Sequence, residues 1–167
     1  MKLYMKQKVF AFKDRFYVKD EKGNDCYYVE GELFSLGKKL HIYDMRNHEL
    51  AMVQQKLFTL LPKYVVTVED EEVAEITKEF TLFKPCYKVK GPDWTVDGDI
   101  WDHDYKIRRG MDAIVHVSKK WLSWGDAYEI NIKKELNPVM VLAVVLAIDC
   151  VLDAEGEAAV AANNREK

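Results

Sequence analysis

The side chains best able to do chemistry crowd into one stretch: Asp93, Asp97, Asp99, Asp102, His103 and Asp104. Several oxygens close together suit a hard cation such as Ca²⁺ or Mg²⁺. The spacing lacks the glycine and the closing Glu of an EF-hand loop. Alternation places Asp97 and Asp99 on the outer face of one strand, with residues 102–104 in the bend that follows. A solvated acidic turn is therefore the expectation, and no metal or cofactor is assigned. His41, His48, His103 and His116 show no HxH or HExxH spacing. His41 and His116 fall on outward positions and His48 in a turn. His103 occupies a place that is apolar in related segments, which predicts a core histidine with a hydrogen-bonded partner. Cys150 sits in an apolar run with no base beside it, as an inert buried thiol does. Ser35, Ser118 and Ser123 fall in bends without a neighbouring His. GxSxG, P-loop and GxGxxG motifs are absent. No catalytic residue is assigned. A hydrolase-like site assembled only in space is the alternative, enzymatic reading.

A second constellation is basic and aromatic. Lys119 and Lys120 adjoin Trp121, Leu122 and Trp124, and Lys8 and Lys56 take corresponding places in two related segments. A ring of such residues at one end of a fold could meet anionic lipid headgroups. The competing reading is that lysines solvate bends while aromatics cover the core. Lys8, Lys56, Lys119 and Lys120 are the candidate lipid contacts, and they require one common side.

The elements that carry these residues repeat. Segments 53–64, 76–87 and 117–128 align without gaps, each with an apolar residue at its start, four on, seven on and eleven on. The four-on residues are Leu57, Phe80 and Trp121; the seven-on residues are Leu60, Phe83 and Trp124. The frame fits upstream at Met5, with Val9, Phe12 and Phe16, and at Val29, with Leu33, Leu36 and Leu40. A sixth copy starts at Val96, keeps Ile100 and Ile107, and has His103 seven on. A regular internal period means one structural unit used repeatedly. Alternation such as Tyr64, Val66, Val68 makes each unit strand, bend, strand. Turn signals separate the units, among them Asp20 to Asp25 and Lys90-Gly91-Pro92-Asp93. Six units give about twelve strands, and a sheet that large closes readily, which removes its edges. The eleven-on residues, Phe16, Leu40, Tyr64, Tyr87, Ile107 and Tyr128, are expected to point inward. At least one of Trp121 and Trp124 is expected in the core.

Asn137-Pro138 reads as a helix start, Asn as N-cap and Pro at the first helical position. Residues 139–148 are all apolar, followed by Asp149. The run is too short for a bilayer span, which needs ~20 residues. It is read as a helix over about 138–152 at the centre of a closed antiparallel barrel. Residues 1–153 form one domain in this reading, and 154–167 a polar tail.

The chain has 167 residues, a net charge of −3 and three cysteines far apart. This composition argues against disorder, a disulfide scaffold and a dedicated nucleic-acid binder. The N-terminus lacks the apolar core of a signal peptide. A cytoplasmic location follows as the expectation.

Several pieces together resemble the LURP-one-related family, within the Tubby C-terminal-like superfamily. They include Tyr28-Val-Glu-Gly31, the run from Phe34 to Asp44, Leu61-Pro-Lys-Tyr64, Lys119-Lys-Trp-Leu-Ser-Trp-Gly125 and Ala147-Ile-Asp-Cys150. The resemblance spans roughly residues 1–153. It implies a twelve-stranded barrel around a central hydrophobic helix, which agrees with the count from spacing. The small bacterial-type members have no established activity. In the wider superfamily, Tubby binds phosphoinositides and the scramblase-like members act at membranes. The resemblance thus implies a non-enzymatic binding or scaffold protein, with a protein partner or anionic lipid headgroups as its ligand. It supplies no catalytic residues.

Overall fold

A computed structural model describes residues 1–6, 15–32, 35–79, 86–122 and 125–163. Twelve strands precede one helix. They are β1 (Lys2–Lys6), β2 (Phe16–Lys19), β3 (Asp25–Gly31), β4 (Lys39–Asp44), β5 (Glu49–Gln55) and β6 (Lys63–Val68). Then come β7 (Glu71–Glu79), β8 (Cys86–Lys90), β9 (Trp94–Asp99), β10 (Asp104–Arg109), β11 (Asp112–Leu122) and β12 (Gly125–Ile132), and finally α1 (Pro138–Asn163). Each strand pairs antiparallel with the next, and β1 pairs with β12, so the barrel is closed. The seam between β1 and β2 is short, with Tyr4 opposite Lys19 and Met5 opposite Val18.

The six-unit frame is visible in the register. The first residues of the units, Met5, Val29, Val53, Ile76, Val96 and Val117, are all buried. Among the eleven-on residues, Leu40, Tyr64, Tyr87, Ile107 and Tyr128 are buried, and Phe16 is half-buried against the same core. At five of the six junctions the eleven-on residue lies directly across from the start of the next unit. Those pairs are Phe16 with Val29, Leu40 with Val53, Tyr64 with Ile76, Tyr87 with Val96 and Tyr128 with Met5. The sixth slips: Ile107 faces Val115, two residues short of Val117, next to an irregularity between Ile107 and Arg108. Directly opposed inward residues are the unit of sheet stabilisation. The sequence period is therefore the spacing that brings two such residues into one cross-strand pair.

Because neighbours in the barrel are neighbours in sequence, connections alternate between its two ends. Those from β2 to β3, β4 to β5, β6 to β7, β8 to β9 and β10 to β11 are tight turns at one end. Asp20 and Asp44 organise two of them. Asp20 Oδ1 accepts the Lys22 and Asn24 N–H groups, and Asp44 Oδ1 accepts those of Arg46 and His48. The backbone N–H groups of Asn24 and His48 hold these two carboxyls below the usual carboxylate range. Glycine is required where chains approach closely. A Cβ on Gly98 (φ 123°) would stand 2.7 Å from the Asp104 carbonyl oxygen and 2.8 Å from Tyr105 Cα.

The helix starts at the turn end. Asn137 Oδ1 accepts the N–H groups of Val139 (2.9 Å) and Met140 (3.4 Å), so it is the N-cap. From there the helix threads the lumen. Every residue from 141 to 152 is buried, on all faces. Its β-branched residues disfavour an isolated helix, so the surrounding wall holds it. The helix continues beyond the expected 152 to Asn163, and its later part emerges at the opposite end, among the bends. There Lys38 Nζ meets Asp153 at 2.9 Å and Lys78 Nζ meets Glu155 at 2.8 Å.

Leu142 is fully buried in the lumen, where neither the closed wall nor the helix can collapse into a vacated space. Leu142→Ala is expected to cost ~2–5 kcal/mol in urea denaturation. A loss below ~1 kcal/mol would mean that the lumen is not packed around the helix.

Candidate functional site

The acidic stretch does not converge. Asp97 faces Arg108 at 3.0 Å, Asp102 faces Lys119 at 3.0 Å, and Asp104 faces His116 at 3.1 Å. Asp99 Oδ1 accepts the Asp102 N–H at 2.9 Å. Each carboxylate thus points at a different partner along the outer wall and the bend after β9. Among the described residues no three His, Cys, Asp or Glu side chains could share one metal ion. His41 lies on the wall between Glu49 (3.0 Å) and Glu32 (3.6 Å), and His48 beside Asp44 (3.1 Å) in its turn. Ser118 lies within β11 rather than in a bend.

His103 has gone inward. It sits in the bend between β9 and β10 with φ 52°, and its ring stacks on Tyr128 at 4.2 Å between centroids. Nε2 stands 3.2 Å from Oδ1 of Asp149, which is fully buried on the helix. The carboxylate lies off the ring N–H direction, so the contact is close without being an aligned hydrogen bond. The partner that the sequence left unnamed is this aspartate, the one acidic residue in the buried part of the helix. Burial pushes the Asp149 carboxyl above its ordinary value, and His103 pulls the other way. Burial, with Asp149 nearby, pushes the Tyr105 hydroxyl up strongly. The next helix residue, Cys150, is also fully buried, and burial drives its thiol upward, away from the reactive thiolate. The contact of His103 with Asp149 is enclosed in the lumen, and no described serine or cysteine is aimed at it.

The bend end carries the more unusual surface. Leu36 is 83% exposed, Phe58 104%, Leu60 105% and Trp121 84%, with Leu57 and Trp101 partly exposed beside them. Leu36, Leu57, Leu60 and Trp121 occupy four-on and seven-on places of the repeat without covering the core, so of the two tryptophans, at least one of which is expected in the core, Trp121 is not there. Phe80, Phe83 and Trp124 lie outside the described residues, as do Val9, Phe12 and Leu33. The cause is geometric. Inward and outward alternation belongs to a paired strand, and these residues stand at or beyond the last ladder rungs, where the helix already fills the lumen. Among the described residues, the Val96 unit keeps them inside, as Ile100 and His103.

The candidate lysines share this end. Lys56 follows β5 and pairs with Glu75 at 3.4 Å. Lys119 pairs with Asp102, and exposed Lys120 helps hold the Glu129 carboxyl below its usual range, after the bonds from Tyr4 and Lys2. Lys8 lies outside the described residues. Lys56 and the Lys119–Lys120 pair sit on opposite walls of the rim, five or six strands apart around the barrel. The structure therefore gathers at one end exposed aromatic and aliphatic tips interleaved with lysines. The turn end presents Asp20, Glu21, Glu69, Asp70 and Asp93 along with Lys22, Arg46, Arg109, Lys133 and Lys134, and its exposed apolar residues include Met1, Met45 and Met111.

Among the described residues, these features define a class of protein: a closed twelve-stranded barrel whose lumen holds its own helix, with exposed apolar residues at one rim. More particularly, the chain belongs to the LURP-one-related family, whose model matches residues 1–149. It is 39% identical over 152 residues to the uncharacterized protein YxjI of Bacillus subtilis (strain 168), covering 91% of this chain and 94% of that one. The X-ray structure of the Arabidopsis thaliana protein AT5G01750 superposes with a TM-score of 0.64 at 12% identity, over 89% of this chain and 88% of that one. That likeness is one of fold. Among the described residues no helix is long and apolar enough to cross a membrane.

The buried pair gives a signed pH prediction. Asp149 holds its proton to higher pH folded than unfolded. Its contribution to stability is present at acid pH and is lost as pH rises above the ordinary carboxyl range, ~4. Asp149→Asn removes that loss. The variant should gain stability relative to the parent between about pH 4.5 and pH 7.5. Denaturant midpoints at the two pH values check this. A constant or reversed difference would contradict it.

Proposed function

We propose that this protein is a non-enzymatic binding module that works in the cytoplasm, with the rim of bends as its binding surface and anionic lipid headgroups as its ligand. The observation that carries the reading is the coincidence of Lys56, Lys119 and Lys120 with exposed apolar tips at one end of the barrel. Lysines near an anionic surface contribute ~1 kcal/mol each, so a few give weak, peripheral, salt-sensitive attachment. The pairs Lys56–Glu75 and Lys119–Asp102 are surface pairs of small worth, which headgroups can replace. Cys26 and Cys150 are free thiols, as is usual in a reducing compartment. The lumen, occupied by the helix, supports binding over catalysis, because a substrate site ordinarily needs an open concave pocket.

Sedimentation with vesicles of neutral lipid, and of neutral plus anionic lipid, at about 50 and about 500 mM salt tests the reading. The parent is expected to bind the anionic vesicles at low salt and to weaken as salt rises. Lys119→Glu with Lys120→Glu should abolish most low-salt binding with little change in melting temperature. No binding by the parent, or equal binding by the variant, would leave a protein partner as the better ligand.

A further inference from the structure

The bend between β5 and β6 spends backbone energy on a residue that buries nothing. Phe58 has φ 59°, in the left-handed region where a bulky side chain is rarely found. Such conformations cost of order 1 kcal/mol or more and persist only where the surroundings enforce them. Here the enforcement is local. The Lys56 N–H donates to the Lys63 carbonyl at 2.8 Å, closing the loop, and Thr59 Oγ1 donates to the Leu61 carbonyl at 2.7 Å. The loop is thus bonded into one shape. Its product is a phenyl ring and the Leu60 side chain held wholly in water.

The neighbouring bend, between β3 and β4, is built alike. Ser35 Oγ donates to the Gly37 carbonyl at 2.6 Å, and Leu36 stands exposed. The two bends are joined. The Gln55 N–H donates to the Lys38 carbonyl at 2.8 Å, the Lys38 N–H donates to Gln55 Oε1 at 3.0 Å, and Leu57 lies against Gly37. Leu36, Leu57, Phe58 and Leu60 therefore project from two linked bends as a crest of separate apolar tips on the rim. Exposed apolar area gathered in this way marks a binding site rather than a folding need.

We infer that this crest inserts into the interfacial layer of an anionic bilayer, with the barrel standing end-on and its helix axis pointing toward the membrane. The inference rests on the lipid reading above and adds an apolar component to it. Separate tips that project from the body suit a fluid partner, which closes around each one, better than a preformed protein surface. Lysines also border the crest, Lys38, Lys39 and Lys56, each paired with an acid, Asp153, Glu32 and Glu75, and the acidic turn of Glu69 and Asp70 lies at the far end, away from the anionic surface. Anchoring by apolar tips differs from headgroup attraction in one measurable respect. Apolar burial does not weaken with salt, whereas lysine attraction does.

The experiment compares the full-length parent with Phe58→Gly/Leu60→Ser on vesicles of neutral plus anionic lipid, at low and high salt. Glycine relieves the left-handed backbone, so the variant is expected to melt at the same temperature or higher. The parent should keep a salt-resistant fraction of its affinity, and the variant should lose about tenfold or more of it. Lys119→Glu/Lys120→Glu should lose only the salt-sensitive part. Variant binding equal to the parent's at both salts, or parent binding that vanishes wholly at high salt, overturns insertion while leaving headgroup binding intact. A parent that binds no vesicle at all overturns both readings. A melting temperature lowered by the substitutions would show that Phe58 and Leu60 serve the fold, and overturns the inference. So would a parent dimer that the variant converts to monomer in size-exclusion chromatography, since the crest would then be a self-association face.

Discussion

The mutual burial of the helix and the barrel wall is the constraint on which the structure depends. The helix from 141 to 152 is apolar on every face, and a helix of that kind exists only where something surrounds it completely. The wall has the complementary need. Twelve strands enclose a lumen whose inward residues would line an apolar void unless something filled it. Neither component has another partner in the chain. The barrel must close fully and the helix must thread it fully, so the fold is cooperative across its whole length. The N-cap at Asn137 and the ion pairs of Asp153 and Glu155 fix the two ends of this arrangement.

Asp149 is the acidic residue in the buried part of the helix, and its position explains its tolerance. Asp149 is a full helical turn before the helix leaves the barrel, and His103 reaches it from the β9–β10 bend. A lone carboxylate at that depth would carry a heavy desolvation cost. The histidine offsets part of it, and stacking on Tyr128 holds the ring in place. In this one unit the bend folds inward to satisfy the helix. In the bends after β3 and β5 the described apolar residues Leu36, Leu57, Phe58 and Leu60 turn outward, as does Trp121 near the end of β11.

That difference ties the core to the surface. The helix occupies the lumen from residue 141 to 152, so among the described residues the surfaces left to a ligand are the walls and ends. The walls are lined by small ion pairs that satisfy themselves, such as Glu75 with Lys56, Lys63 and Lys90. The turn end is polar and locally hydrogen-bonded. The rim retains apolar side chains that nothing in the described chain covers, and Phe58 is held there against its backbone preference. A surface that works against local stability is the strongest indication of where the molecule meets its partner.

The sequence by itself determined the number of strands, their antiparallel order, the central helix and the inward positions of Leu40, Tyr64, Tyr87, Ile107 and Tyr128. The physical reason is that each depends on local periodicity. An inward residue recurs every second place in a strand, and an all-apolar run must be enclosed. It also singled out His103, because a histidine in an apolar register is a local anomaly. Tertiary structure alone decided the rest. The pairing of His103 with Asp149 joins residues far apart in sequence, and no spacing rule connects them. Leu57, Leu60, Leu36 and Trp121 look like core residues in the repeat, yet whether an apolar residue at a bend turns in or out depends on how much lumen the helix leaves free. That space is a property of the assembled barrel. For the same reason the lysines Lys56, Lys119 and Lys120 could be placed on one rim only once the alternation of connections around the closed sheet was known.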